Sequence, residues 1–261
     1  MSRHDRTGRD ACEVPRGIVS RRSMLLGGAG LLAAPALVRR AVAGTNVSGV
    51  LELFTSQGCS SCPPADALLA DMVAEGEVLG LSYHVDYWDY LGWRDTLGSR
   101  EATQRQYAYA KAFGRRGVYT PQAVVNGRSH HVGSREGEVR ARLRADVEAG
   151  LAPRLRVVIE RRGTAGEVIV EGATGEAADL VMVAYDDAHE QAIERGENRG
   201  RTITYRNPVR SFRTLAPLDG EPVRFDMSGT GAKVAILVQS RATGGSPGPI
   251  LGAASITKAG R

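Results

Sequence analysis

Between residues 50 and 148, short apolar runs alternate with longer segments in which apolar residues recur every three or four positions. The short runs predict buried strands, and the longer spacing predicts amphipathic helices. The predicted strands cover residues 50–55, 78–86, 121–125 and 129–132. The predicted helices cover residues 63–75, 99–113 and 134–148. The order β-α-β-α-β-β-α indicates an α/β domain with one parallel strand pair and a terminal hairpin.

Local signals mark the ends of these segments. Pro63-Pro64 suit the first turn of a helix, because the N–H groups that proline lacks would be unpaired there. Ser99 and Ser134 are predicted N-caps of the next two helices. Asn126-Gly127 predicts a two-residue hairpin turn between the last two strands.

After residue 150 the helical spacing disappears, and short β-like segments are separated by glycine-rich turns. Repeated short strands of this kind predict an antiparallel sheet or sandwich. The segments cover residues 155–160, 167–172, 180–186, 202–207, 222–226 and 233–240. We place the boundary near Leu151, so the predicted domains are an α/β domain at 44–150 and a β-rich antiparallel domain at 151–261.

The formal net charge of +5 would be typical of a nucleic-acid-binding protein if it were spread over the chain. It is concentrated in residues 1–43, which hold eight arginines and three acidic residues. The remaining chain is neutral overall, so the charge does not predict a nucleic-acid partner.

Residues 1–43 have the features of an export signal. Arg21-Arg22 precede a moderately apolar stretch that ends at Val38, and residues 41–43 read Ala-Val-Ala, a cleavage pattern. The paired arginines resemble a twin-arginine signal. We therefore expect a mature chain that begins at Gly44, is periplasmic or secreted, and has no stable membrane insertion. The alternative, an uncleaved anchor, needs about 20 apolar residues, which this stretch lacks.

Cleavage would remove Cys12 and leave Cys59 and Cys62, spaced C-x-x-C between a predicted strand and a predicted helix. The N-terminus of a helix carries a partial positive charge, which favours the reactive thiolate over the thiol. Such a pair either cycles between dithiol and disulfide or forms one small permanent disulfide.

The C-x-x-C motif after the first strand, the order of the elements and Thr120-Pro121 before the third strand resemble the thioredoxin fold. The resemblance implies that Pro121 has a cis peptide bond and lies against the disulfide, leaving the backbone of Thr120 free to pair with a peptide. It also implies a buried acid that relays the proton of the second cysteine. Glu52 is the candidate, although it lies seven residues before Cys59 instead of the six found in thioredoxins.

Residues 55–64, 84–89 and 119–122 are also similar to an uncharacterised family of exported proteobacterial proteins with a thioredoxin-like domain. This second resemblance implies the same fold and the same export. It implies no particular substrate.

These features predict a thiol-disulfide oxidoreductase that acts on protein or small-molecule thiols and disulfides without a cofactor. Cys59 is the expected nucleophile and Cys62 the cysteine that resolves the mixed disulfide. One alternative is a binding protein with a permanent disulfide. Another is a dithiol that handles copper or zinc, but such a site usually needs two further ligands, and His84 in its apolar run is more typical of a core histidine.

Two further segments are candidates for binding. Trp88 and Trp93, in the aromatic segment 87–93, would cover the dithiol or line a peptide groove; the alternative is that the aromatic residues pin this loop to the second domain. The charged segment 194–201 is either solvated or faces the first domain, where its arginines would bind a substrate carboxylate or the thiolate.

Overall fold

A computed structural model of the chain describes residues 41–43, 47, 49–76, 78–229 and 231–258. The helices in this part of the chain are α1 (Pro63–Ala74), α2 (Arg100–Ala112) and α3 (Glu136–Glu148). The first five strands are β1 (Ala41–Ala43), β2 (Gly49–Thr55), β3 (Val78–His84), β4 (Gln122–Val125) and β5 (Ser129–Val132). The later strands are β6 (Arg156–Arg162), β7 (Ala165–Glu171), β8 (Ala178–Tyr185), β9 (Ala188–Ala192), β10 (Thr202–Arg206), β11 (Val209–Pro217), β12 (Val223–Asp226), β13 (Lys233–Arg241) and β14 (Pro247–Thr257).

The first sheet has the strand order β3-β2-β4-β5. β2 and β3 are parallel, whereas β4 is antiparallel to both β2 and β5. Both faces are buried, because alternate residues of β2 enter different cores. Leu51 and Leu53 pack against α1 and α3, and Val50 and Phe54 pack with residues of α2.

The second sheet, β11-β8-β13-β14, lies between two cores. Leu180 and Met182 of β8 pack toward the third sheet, β1-β6-β7-β12, while Val181 and Val183 share a core with the first sheet. The two-stranded hairpin β9-β10 is separate from these sheets and packs against α1 and β3. Because alternate residues of β8 point to opposite faces, the second sheet packs against the first sheet on one face and against the third sheet on the other.

Most of the predicted elements are confirmed, with some corrections at their ends. Ser99 caps α2 by accepting a hydrogen bond from the N–H of Ala102 at 3.1 Å. Asn126 and Gly127 both have positive φ angles, as a two-residue hairpin turn requires. The prediction of Ser134 as a cap is wrong, since α3 begins after Arg135 without a side-chain cap. Among the strands of the described residues, β1, β9, β11 and β14 were not predicted.

Residues 1–40 of the predicted twin-arginine signal lie outside the described residues. Ala41–Ala43, expected to end that signal, form β1 and pair antiparallel with β6. Within the described part of the chain, no helix combines the length and apolar character needed to cross a membrane.

Candidate functional site

Cys59 and Cys62 form a disulfide at the start of α1, as the motif predicted. Cys62 is the N-cap residue, and prolines occupy the first helical positions after it. Both cysteines are fully buried, whereas Ser60 and Ser61 between them are exposed. The disulfide therefore lies just beneath the surface, behind two exposed serines.

Backbone hydrogen bonds shape the segment that leads from β2 into α1. The N–H of Cys59 donates to the carbonyl of Ser56 at 3.1 Å, and the N–H of Cys62 donates to the carbonyl of Cys59 at 3.2 Å. The Ser61 hydroxyl lies 3.3 Å from Cys59 Sγ. Because this hydroxyl can donate, it could stabilise negative charge on Cys59 after the disulfide opens.

The loop between β9 and β10 covers this segment, and we call residues 193–201 the hairpin cap. Asn198 is 1 % exposed, and its Nδ2 donates to the carbonyls of Gln57 at 3.0 Å and Cys59 at 2.8 Å. Glu197 Oε2 accepts a hydrogen bond from the N–H of Ser60 at 3.1 Å. Hydrogen bonds from Ser60 hold the pKa of the Glu197 carboxyl below its ordinary value.

The charged segment thus contacts the cysteine segment, but not through its arginines. An amide and a carboxylate of the hairpin cap bind the motif, and Arg195, Arg199 and Arg201 are exposed. No hydrogen bond joins these three arginines to the cysteine segment among the described residues. The exposure of the three arginines agrees with the alternative of a solvated segment, and the binding of a substrate carboxylate by them stays a prediction.

Thr120-Pro121 lies beside the start of α1, and its peptide bond is cis, as expected. A Cβ built on Gly133 would lie 3.0 Å from the Cβ of Ala65 and 3.1 Å from the Cβ of Pro121, so Pro121 lies near the first turn of α1. Trp88 Nε1 donates to Thr120 Oγ1 at 2.8 Å. A Cβ built on Gly58 would lie 3.1 Å from the Cβ of Trp88. Trp88 therefore connects Thr120 with the segment that precedes Cys59.

Trp93 occupies the contact between the cysteine segment and the hairpin cap. Its Nε1 donates to Gln57 Oε1 at 2.9 Å, and a Cβ on Gly196 would meet Trp93 at 3.4 Å. This placement matches the expectation that the aromatic loop is pinned to the second region.

Glu52 does not contact the cysteines among the described residues. Its carboxylate lies on the α2 face of the first sheet, where Arg105 Nε donates to it at 2.8 Å and the Tyr109 hydroxyl donates a short hydrogen bond. Gln239 of β13 completes the group by donating to the Tyr109 hydroxyl at 2.7 Å and accepting from Arg105 at 3.0 Å. We call these four residues the Glu52 network. These hydrogen bonds account for the buried carboxylate of Glu52 as a structural group, without a role as a proton relay.

A second group of buried polar side chains lies on the α1 face of the same sheet, beside the cysteine segment. We call it the Asp66 cluster, and its members are Thr55, Asp66, His84, Asp95 and Tyr205. His84 Nδ1 lies 2.8 Å from Asp95 Oδ2, and the His84 ring packs edge-on against Tyr205 at 4.6 Å. Asp95 Oδ2 also accepts the N–H of Gln57 at 2.8 Å, which ties the cluster to the segment before Cys59.

The two carboxyl groups of the Asp66 cluster titrate differently. Burial raises the pKa of Asp66 to about 7, although the nearby His84 opposes this shift. Burial also acts to raise the pKa of Asp95, but His84 and the N–H groups of Gln57 and Leu97 lower it below its ordinary value. Asp66 can therefore bind or release a proton near neutral pH while Asp95 stays ionised.

Two polar atoms of the Asp66 cluster have no hydrogen-bond partner in the described part of the chain. They are His84 Nε2 and the Tyr205 hydroxyl, and the Asp66 carboxyl is supported by a side-chain hydrogen bond from Thr55 alone among the described residues. Buried polar groups are normally paired, and groups that are not often mark a functional site. Asp66 was not among the site residues predicted from the sequence. The available signal was an acid among the buried residues of α1, one helical turn after Cys62.

The expectation of metal ligands beside the dithiol finds no support in the described part of the chain, where no group of three or more His, Cys, Asp or Glu side chains could hold a metal ion. His84 Nδ1 is already engaged by Asp95. His130 bonds the Tyr119 hydroxyl at 2.9 Å, whereas His131 lies near Ser129 and Glu138.

Fold and site together define a mixed α/β protein with several antiparallel sheets and a buried C-x-x-C disulfide at the start of a helix. The chain belongs to the family described as protein of unknown function (DUF1223), whose model matches residues 50–239. None of the curated proteins matches the chain significantly.

Two solved structures are similar to this chain. A crystal structure of a protein from Agrobacterium tumefaciens is 38 % identical, covers 83 % of this chain and 97 % of its own, and superposes with a TM-score of 0.74. HBP35 of Porphyromonas gingivalis is 16 % identical, with 81 % and 75 % of the two chains covered and a TM-score of 0.54. At that identity the second similarity concerns the fold alone.

Proposed function

We propose that this protein is an exported thiol-disulfide oxidoreductase whose first domain is thioredoxin-like and whose redox pair is Cys59 and Cys62. The observation that carries the proposal is the disulfide at the N-terminus of α1, with the Asp66 cluster beside it. A helix N-terminus stabilises a thiolate, and a carboxyl with a pKa of about 7 can exchange protons at neutral pH. The cis peptide bond at Pro121, which lies near Ala65 of the first turn of α1, also supports the proposal.

The proposed reaction begins with the reduced pair. The Cys59 thiolate attacks a partner disulfide, one partner sulfur leaves as a thiolate, and a mixed disulfide forms on Cys59. Cys62 then loses its proton and attacks Cys59, which releases the second partner sulfur and restores the Cys59–Cys62 disulfide. The partner is thereby reduced by two electrons, and the reverse sequence oxidises a partner dithiol. Asp66, one helical turn beyond Cys62, replaces Glu52 as the candidate acceptor for the Cys62 proton.

Access to the disulfide requires movement of the hairpin cap. Both cysteines are fully buried, and Asn198 and Glu197 hold the backbone on either side of Cys59. The two exposed serines offer a partner the backbone between the cysteines, and Trp88 with Thr120 forms the adjoining surface. A partner sulfur would enter where the hairpin cap now lies.

A permanent disulfide in a binding protein is the competing function, and the complete burial of both cysteines favours it. In that case the disulfide fixes the start of α1 and the backbone to which the hairpin cap binds. The two functions differ in reduction potential, because structural disulfides have potentials below about −300 mV.

Thiol trapping on the mature chain separates these functions. Cys62→Ser should capture mixed disulfides with partner proteins or glutathione, since the resolving sulfur is missing, and the matched variant Cys59→Ser should capture none. A redox titration of the unmodified chain should give a potential above about −300 mV. A lower potential, with no capture by Cys62→Ser, would establish the permanent disulfide instead.

The proposed export has its own test. Protein recovered from the periplasm of a proteobacterial host should begin at Gly44 by N-terminal sequencing. Replacing Arg21-Arg22 by Lys-Lys should leave the full-length chain in the cytoplasm. A chain that is exported equally well with the lysine pair would contradict the twin-arginine route.

A further inference from the structure

A cavity of about 210 Å³ lies between α2 and the second sheet, and it is separate from the disulfide. Strands β8, β11 and β13 form its walls, and the turn before β14 closes one side. Its polar lining includes three arginines, one aspartate and two serines: Arg105, Arg213, Arg241, Asp179, Ser240 and Ser246. The volume would hold several water molecules or a small organic anion.

Arg105 is the fixed cation of this cavity. Its Nε and Nη2 are engaged by Glu52, Tyr109 and Gln239, and its guanidinium lies 5.1 Å and 5.6 Å from the ring centres of Tyr109 and Phe212. Arg105 is 9 % exposed. Its Nη1 makes no hydrogen bond to a described residue, so a buried, immobilised guanidinium keeps one donor group for the cavity.

The other two arginines are only partly engaged. Arg213 Nη2 donates to the carbonyl of Asp226 at 3.3 Å, and Arg241 Nε pairs with Asp179 at 3.2 Å. Each guanidinium keeps nitrogens that make no hydrogen bond to a described residue. Ser240 and Ser246 are 2 % and 5 % exposed, and their hydroxyls add neutral donors to the lining.

The charge of this group defines the ligand. Arg105 pairs with the buried Glu52 and Arg241 pairs with Asp179. Arg213 is exposed and has only the solvent-exposed Asp226 as an electrostatic neighbour among the described residues, so it supplies the remaining positive charge of the lining. A singly charged anion neutralises the group, whereas a dianion would leave an excess negative charge in a partly buried site. Guanidinium also matches the planar, two-oxygen geometry of a carboxylate. We propose that this cavity binds a small molecule that carries one carboxylate.

The test uses propionate as the probe, measured by isothermal titration of the full chain. Propionamide serves as the neutral isostere and sodium chloride as the ionic-strength control. Arg213→Gln and Arg241→Gln should each weaken propionate binding by about tenfold or more, because each removes a charge-assisted hydrogen bond. Arg210→Gln is the matched control, since Arg210 lies on β11 beyond the cavity and pairs with Asp186. It should leave the affinity unchanged.

Three results would overturn the proposal. Propionamide binding as tightly as propionate would exclude carboxylate recognition. Equal losses in Arg210→Gln and Arg213→Gln would show that the anion responds to surface charge in general. Sulfate binding more tightly than propionate would show a site for dianions. Arg105 is left intact in every variant, because its replacement would disturb the fold together with the cavity.

Discussion

The two faces of the first sheet carry two very different groups of buried polar residues. On the α2 face, the Glu52 network pairs a carboxylate with a guanidinium, and a tyrosine and a glutamine complete their hydrogen bonds. On the α1 face, the Asp66 cluster holds two carboxyl groups and one imidazole, and His84 Nε2 and the Tyr205 hydroxyl have no partner among the described residues. Both groups are almost completely withdrawn from solvent.

The difference indicates a structural role for the Glu52 network and a chemical role for the Asp66 cluster. A buried network in which every charge is compensated rigidifies a core, and here it joins α2 to β13. A buried group with unsatisfied, titratable atoms costs free energy, so proteins keep such groups mainly where they act. The Asp66 cluster borders the cysteine segment through Gln57, whereas the Glu52 network does not. This contrast is the reason to assign the proton-exchanging role to Asp66.

The largest expected effect comes from breaking the Glu52 network. Arg105→Met removes the cation and leaves the Glu52 carboxylate buried without its charge partner. We expect the free energy of unfolding to fall by about 3–5 kcal/mol, measured by urea denaturation at pH 7.

The double variant Glu52→Leu, Arg105→Met is the control for this loss. Because it removes both charges, it should recover most of the lost stability. If the single and double variants are equally unstable, the packing of the arginine side chain, and not its charge, holds α2 to β13.

The next effect concerns the Asp66 cluster and depends on pH. The Asp66 carboxyl has a pKa of about 7 in the folded chain and about 3.8 when unfolded, so between these values the folded state keeps a proton that the unfolded state has lost. Stability therefore falls as the pH rises through this window, and the deficit is complete above pH 7. Asp66→Asn removes it, and should stabilise the chain by up to about 4 kcal/mol at pH 8 with little change at pH 4.

Urea denaturation between pH 4 and pH 8 checks this slope. Asp71→Asn is the matched control, because Asp71 is an exposed acid on the same helix. Parallel pH profiles for wild type and Asp66→Asn would show that Asp66 titrates at its ordinary pKa.

Local sequence patterns correctly predicted the helix starts and the turn that depend on residues adjacent in the chain. The two prolines after Cys62, the cap at Ser99 and the turn at Asn126 each depend on one or two adjacent residues, and each is where the sequence indicated. β11 and β14 were missed because the segment of β11 is rich in charged and polar residues and β14 begins among prolines and glycines, patterns that a strand adopts only when a sheet supports it.

The candidate site was predicted in part. The disulfide and Pro121 follow from the motif and from the resemblance, but the choice between Glu52 and Asp66 depends on which face of the sheet each residue occupies and on what lies opposite. The partners that decide this are distant in the chain: Gln239 for Glu52, and Tyr205 for Asp66. The role of Asn198 was hidden for the same reason, since 139 positions separate it from Cys59.

A smaller effect is expected from loosening the hairpin cap. Asn198→Ala removes two buried hydrogen bonds to backbone carbonyls, which should cost about 1–3 kcal/mol. The disulfide should then be reduced faster by dithiothreitol, measured as the rate at which free thiols appear. Glu194→Ala, an exposed position of the same loop, should leave this rate unchanged.

Arg105→Met supplies a second control for the reduction rate. It destabilises the chain more than Asn198→Ala does, but on the opposite face of the sheet. If reduction needs only local opening of the hairpin cap, Asn198→Ala should accelerate it more than Arg105→Met. The reverse order would mean that the disulfide is reached only by global unfolding.

The smallest effect is expected at Glu197, which is exposed and accepts the N–H of Ser60. Hydrogen bonds from Ser60 lower the pKa of the Glu197 carboxyl. The ionised contact therefore stabilises the folded chain above the ordinary pKa of a glutamate, and this stabilisation is lost as the pH falls through the lowered pKa. Glu197→Gln keeps an acceptor oxygen and loses the charge. Reduction by dithiothreitol at pH 7 should therefore accelerate only slightly, less than in Asn198→Ala, and only at low ionic strength, because salt screens an exposed charge. A larger acceleration in Glu197→Gln than in Asn198→Ala would show that the carboxylate at the N-terminus of α1, and not the buried amide, holds the hairpin cap closed.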